Sequence, residues 1–149
     1  MQVTVKPSKA NGIVLAPPSK SMAHRLLICA GLSEGESVVS NLSYSEDILA
    51  TLDCLKSLGA SYEKDGNRVK IKGTNPSLFI GNELLNCREC GSTLRFMIPL
   101  CMLGKKETKI TGSQTLMNRP LGIYEDIAKK QNLKFEMIGN ELHICGPLS

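Results

Sequence analysis

The second half of this 149-residue chain repeats the first. Glu63, Gly66, Asn67, Ile71 and Gly73 recur as Glu136, Gly139, Asn140, Ile144 and Gly146, each 73 positions on. Upstream, Ser21, Leu32 and Glu36 recur as Ser92, Leu103 and Glu107, 71 positions on. The change of offset places two extra residues near 113–118, beside Arg119. Self-similarity of this kind means that one supersecondary unit is used twice, which narrows the fold more than any single motif does.

Hydrophobic periodicity and turn residues predict helix 20–32, strand 36–41, helix 46–58 and strands 60–64 and 68–73 in the first unit. The second unit reads as helix 92–103, strand 107–111, helix 120–131 and strands 133–138 and 141–145. Asp65-Gly66-Asn67 and Gly139-Asn140 supply the hairpin turns. Leu26, Leu27, Ile28, Ala30 and Leu32 are expected to form the buried body of the first helix. Each unit is α-β-α-β-β, and one preceding strand would complete β-α-β-α-β-β. The expected class is α/β (α+β), with helices packed behind mixed sheets. The units divide as 16–73 and 74–149. Ahead of them, Val3, Val5, Ile13 and Leu15 alternate as a strand with one apolar face, which sets residues 1–15 apart.

Three predicted helix starts carry groups that suit an anion. Pro17-Pro18 blocks a helix, and Ser19 or Ser21 can then cap one, leaving Lys20 and Arg25 at its first turns. Unpaired N–H groups and the helix dipole favour negative charge there. Glu89-Cys90-Gly91-Ser92-Thr93-Leu94-Arg95 repeats the arrangement before the apolar run 96–103. Asn118-Arg119-Pro120 sets an arginine before a proline suited to the first helical position of helix 120–131. One such stretch is an ordinary serine-capped helix with solvated bases. Three in duplicated units, whose equivalent helix ends converge, bring Lys20 and Gly91 toward one cleft for a multiply charged ligand.

The rest of the composition narrows the partners. A net charge of +4, 4% aromatics and no tryptophan offer no stacking platform for single-stranded nucleic acid. No apolar run approaches a membrane span, and Met1 to Val5 opens as a strand rather than a signal peptide. A small acidic substrate fits best. Of six cysteines, Cys87 and Cys90 form one CxxC without a second pair, and His24 and His143 lie elsewhere in the sequence. No metal site is therefore expected. Cys29 and Cys101 fall on apolar helical runs as small hydrophobes, and reduced thiols in a cytoplasmic protein are the expectation.

Ser19-Lys20-Ser21 with Arg25, Gly91-Ser92-Thr93 with Arg95, and Arg119-Pro120-Leu121-Gly122 resemble, in order and spacing, the N-terminal motifs of the 5-enolpyruvylshikimate-3-phosphate synthase family. The resemblance covers essentially the whole chain, whereas the family's enzymes are far longer and have two domains. It implies the enolpyruvyl transferase fold, with two of its six repeated units present here. It implies transfer of the enolpyruvyl group of phosphoenolpyruvate to the 5-hydroxyl of shikimate 3-phosphate, in the shikimate pathway of aromatic amino acid biosynthesis, without metal or organic cofactor. By motif match, Lys20 would be catalytic and contact both substrates. Ser21 and Arg25 would hold shikimate 3-phosphate, and Gly91 and Arg119 would hold phosphoenolpyruvate. Arg95 could instead be a structural arginine, and it is left out of the site. Glu89 and Ser92 stand where the family more commonly has asparagine and threonine. The family's Ser-Ser-Gln segment and the catalytic groups of its second domain have no counterpart before Ser149, so this chain alone is expected to be inactive. Residues 1–15 would belong to that second domain, and a two-unit piece should leave an apolar flank exposed. Two other readings stand beside this one: a relative of UDP-N-acetylglucosamine enolpyruvyl transferase, disfavoured by Ser21 and the lack of a loop cysteine near Thr115 and Leu116, and a noncatalytic anion-binding domain.

Overall fold

The computed structural model describes residues 3–9, 11–75 and 84–148. The first unit contains α1 (Lys20–Leu32), β1 (Glu36–Val39), α2 (Glu46–Ser57), β2 (Ser61–Asp65) and β3 (Arg68–Lys72). The second contains β4 (Leu84–Asn86), α3 (Gly91–Leu103), β5 (Thr108–Thr111), α4 (Gln114–Met117), α5 (Gly122–Lys130), β6 (Lys134–Ile138) and β7 (Glu141–Cys145). The fold is the expected mixture of helix and sheet, and β4 is the strand that completes β-α-β-α-β-β in the second unit.

Each unit builds its own sheet, with strand orders β1-β3-β2 and β4-β5-β7-β6. All pairs are antiparallel except β4 with β5, which is parallel. The sequence offsets carry over into register. Val39 faces Val69, and 71 and 73 positions on Ile110 faces Leu142. Ser61 faces Lys72, as Lys134 faces Cys145. Even a polar contact recurs: Lys70 pairs with Glu36 at 3.0 Å, and His143 meets Glu107 at 2.7 Å.

α1, α2 and α3 pack on one another between the sheets. Leu27, Leu52, Leu55, Leu94, Met97 and Ile98 are fully buried there, joined by Ile71 and Ile110 from the sheets. Alternate residues of β3, Val69 and Ile71, point into this core while their neighbours face solvent, as strand periodicity requires. Arg88 ties the units together by pairing with Asp53 of α2 at 2.8 Å and with Glu46.

Several expectations need correction. The alternating segment ahead of α1 makes no ladder among the described residues, and Val3, Val5, Ile13, Val14 and Leu15 are exposed. Ile13–Leu15 stand 71 positions before β4 but do not pair with β1; with no partner to take up backbone hydrogen bonds, alternation alone makes no strand. Pro120 is not the first residue of a helix. The backbone instead makes a short turn of helix at α4, capped by Ser113, and α5 begins only at Gly122 because Leu121 takes a non-helical conformation. Leu26 is 46% exposed while its neighbour Leu27 is buried, so the apolar run is not buried throughout. Cys29 is likewise exposed, while Cys101 is buried as expected. Exposed apolar side chains include Met22 and Leu26 of α1, Val38 of β1, Ile123 and Ile127 of α5, and Met137 and Ile138 of β6.

Candidate functional site

The anion-suited residues depend on two helix ends built alike. Ser19 caps α1, its Oγ accepting from the Met22 amide at 3.3 Å. Cys90, 71 positions on, caps α3 in the same way, its Sγ accepting from the Thr93 amide at 3.4 Å. Neither first turn contains an acidic residue, so both helix ends keep their positive character. The two are held together below the surface. His24 of α1 lies 3.9 Å from the Cys90 sulfur through Nε2 and 2.8 Å from the Thr51 hydroxyl through Nδ1. Thr51 in turn meets Thr93 of α3 at 2.7 Å. His24, Thr51, Thr93 and Cys90 are all buried.

At the surface, Lys20 Nζ donates to Asp47 of α2 at 2.6 Å. This bond raises the lysine's pKa and lowers that of the carboxyl, which the nearby Cys90 thiol also lowers slightly. Arg25 folds back along its own helix, donating to the Ser21 hydroxyl at 2.5 Å and the Ser21 carbonyl at 2.8 Å. Its guanidinium lies over Phe96 of α3, 5.3 Å from the ring centre. Ser21 and Arg25 thus form a pair, and Lys20 sits on the neighbouring edge of the helix start. A cleft lined by Pro17, Pro18, Ser19, Lys20, Ser43 and Ser45 opens beside it.

Gly91 and Arg119 come together although 28 residues separate them. A side-chain carbon at Gly91 would collide with Nη1 of Arg119, so the absence of one is what lets the guanidinium approach the start of α3. Arg119 is positioned by α4, whose Leu116 lies against the same glycine. The loop leading to α4 is fixed by backbone bonds from Ser113 to the Arg88 carbonyl (2.6 Å) and from Cys87 to the Thr111 carbonyl (2.8 Å). Lys20 meets Asp47, whose carboxylate lies within 4.8 Å of the sulfur of Cys90, the residue before Gly91. Asp47 was missed, although Ser45-Glu46-Asp47 is a capped, acidic helix start readable from the sequence. His24, 66 positions from Cys90 in sequence, lies beside it because α1 and α3 pack side by side.

The arrangement offers cations, hydroxyls and two helix N-termini to an anion, with no general base free of a partner among these residues. The sequence model of EPSP synthase (3-phosphoshikimate 1-carboxyvinyltransferase) matches residues 4–141. The 3-phosphoshikimate 1-carboxyvinyltransferase of Clostridium perfringens (strain SM101 / Type A) is 43% identical over 149 residues, covering 99% of this chain and 35% of that protein. The enzyme of the same name from Clostridium kluyveri is 45% identical over 140 residues, covering 94% and 33%. A solved EPSP synthase from Acinetobacter baumannii superposes with a TM-score of 0.79 at 23% identity, over 91% of this chain and 32% of that one, which shows the shared fold. The chain spans about a third of the length of these relatives. With a family model matched over nearly its whole length, the chain belongs to the EPSP synthase family.

Proposed function

We propose that this chain forms the part of a 3-phosphoshikimate 1-carboxyvinyltransferase that grips the anionic ends of both substrates. In that reaction the 5-hydroxyl of shikimate 3-phosphate adds to C2 of phosphoenolpyruvate as C3 takes up a proton. The tetrahedral adduct then loses a C3 proton and inorganic phosphate, leaving the enolpyruvyl ether. Lys20 would contact both substrates and stabilise charge as it develops. Ser21 and Arg25 would bind shikimate 3-phosphate, and the Gly91 backbone with Arg119 would bind phosphoenolpyruvate. Residues 1–15 would serve a second domain, and the proton-transfer groups would come from the remainder of such an enzyme, so the isolated chain would not turn over. The observation that carries the reading is Arg119 pressed against Gly91 while Lys20 stands at the equivalent end of α1. Preorganised donors of this kind are each worth about 3 kcal/mol to a transition state.

Mixing the chain with the complementary C-terminal segment of a clostridial relative tests the proposal, with phosphate release from the two substrates as the readout. Turnover that appears only in the mixture, and is lost with Lys20→Met, is the expected result. Phosphate release by the isolated chain, or an active mixture indifferent to Lys20→Met, would contradict it. Anion binding without turnover in any mixture would favour a noncatalytic anion-binding domain.

A further inference from the structure

We infer that His24, Asp47 and Cys90 form a binding site for a single thiophilic divalent cation, of the zinc or cobalt(II) class, directly beneath Lys20. The three residues come from three helix starts, and one ligand atom from each lies within 4.8 Å of the others. In a tetrahedral site with bonds of about 2.0–2.3 Å, neighbouring ligand atoms stand roughly 3.5 Å apart. The 3.9 Å between His24 Nε2 and Cys90 Sγ needs only a small contraction to reach that.

The ring is already oriented for the task. In the Nδ1–H tautomer the ring donates to the Thr51 hydroxyl, 2.8 Å away. That leaves the Nε2 lone pair facing Cys90. A histidine whose far nitrogen is fixed by a hydrogen bond is the usual form of a metal-binding imidazole. Sulfur, imidazole nitrogen and carboxylate oxygen together select a borderline-soft ion over calcium or magnesium. Entry is from the Lys20 side, where Asp47 is partly exposed and His24 and Cys90 form the floor. On binding, the Cys90 thiol releases its proton to solvent and its sulfur bonds the cation, and one coordination position stays open to water. Asp47 is then withdrawn from Lys20, so cation occupancy and the lysine's freedom to meet an anion are linked. The inference does not depend on the proposed transferase activity.

Titration of the reduced 149-residue chain with cobalt(II) chloride, free of oxygen, tests it. The expected result is one cobalt per chain at concentrations below about 100 μM. Its spectrum should show a sulfur-to-cobalt charge-transfer band and intense tetrahedral d–d bands. Cys90→Ser keeps a side-chain cap for α3 and should abolish the charge-transfer band. Asp47→Asn leaves the core untouched and should weaken binding roughly tenfold or more. No binding in that range, a spectrum without the sulfur band, a band that survives Cys90→Ser, or unchanged affinity in Asp47→Asn would each overturn the assignment.

Discussion

His24 shows how a side chain with no signal in the sequence can be informative in the structure. It sits one turn into α1, fully buried between Thr51 and Cys90. Burial is the main cause holding its pKa below the ordinary imidazole value; Lys20 and Arg25 push the same way and Asp47 opposes them. The unfolded chain therefore takes up the proton first as the pH falls. The stabilisation is complete above the unfolded pKa of about 6.5 and is lost progressively as the pH drops toward the lower folded value. Urea unfolding at about pH 7.5 and 5.5 should show the chain weakening on acidification, and His24→Gln should show a smaller loss. An equal loss in the variant would mean that other groups drive it. Nothing in the local sequence reveals this environment, since Cys90 lies 66 residues away and meets His24 only because two duplicated helix starts pack together. The capping serine and the basic residues of α1 were legible because capping and dipole effects act within one turn.

At the scale of elements, the two units are locked by equivalent glycines. The Gly73 amide donates to Gly35 at 3.1 Å and the Gly146 amide to Gly104 at 3.0 Å. Each glycine runs against carbonyls at the end of its unit's first helix. A methyl group at Gly73 would stand 2.6 Å from the Ala30 carbonyl and nearer still to that of Ser33, and one at Gly146 would meet Met102 and Gly104 in the same manner. Backbone cannot swing aside as a side chain can, so Gly73→Ala and Gly146→Ala should each destabilise by about 3 kcal/mol. Gly122→Ala, at the open start of α5, should change stability by only about 0.5 kcal/mol. Urea midpoints decide, and a Gly73→Ala variant as stable as Gly122→Ala would refute the close-approach argument. Helices 20–32 and 92–103 and the hairpins were readable because capping, apolar periodicity and turn glycines all coincide there. The start of α5 was not. Asn118 already ends a helical turn, so Arg119-Pro120-Leu121 crosses as a loop where the first unit has the first turn of α2. The N-terminal segment shows the opposite failure, in which a local pattern is present and its partner is not.

For the whole molecule, duplication is what turns scattered motifs into one site. Two copies of a helix start, each capped by the residue before it, are brought side by side by the packing of α1, α2 and α3. Lys20 and Arg119 then flank a region free of first-turn acids on α1 and α3. Both cations are held in place before any anion arrives, Lys20 by Asp47 and Arg119 against Gly91. Such prior ordering reduces the side-chain entropy lost on binding. Among the described residues no helix is long and apolar enough to cross a membrane. The central claim is that the paired ends of α1 and α3 bind substrate phosphate, and amide shift mapping by NMR during a titration with shikimate 3-phosphate tests it most directly. The account predicts saturating shifts at residues 19–25 and 90–95, with affinity falling about tenfold or more in Lys20→Met, as expected for loss of a charged hydrogen bond. Silence at both helix starts, or shifts confined to the hairpins at 65–68 and 138–141, would contradict it.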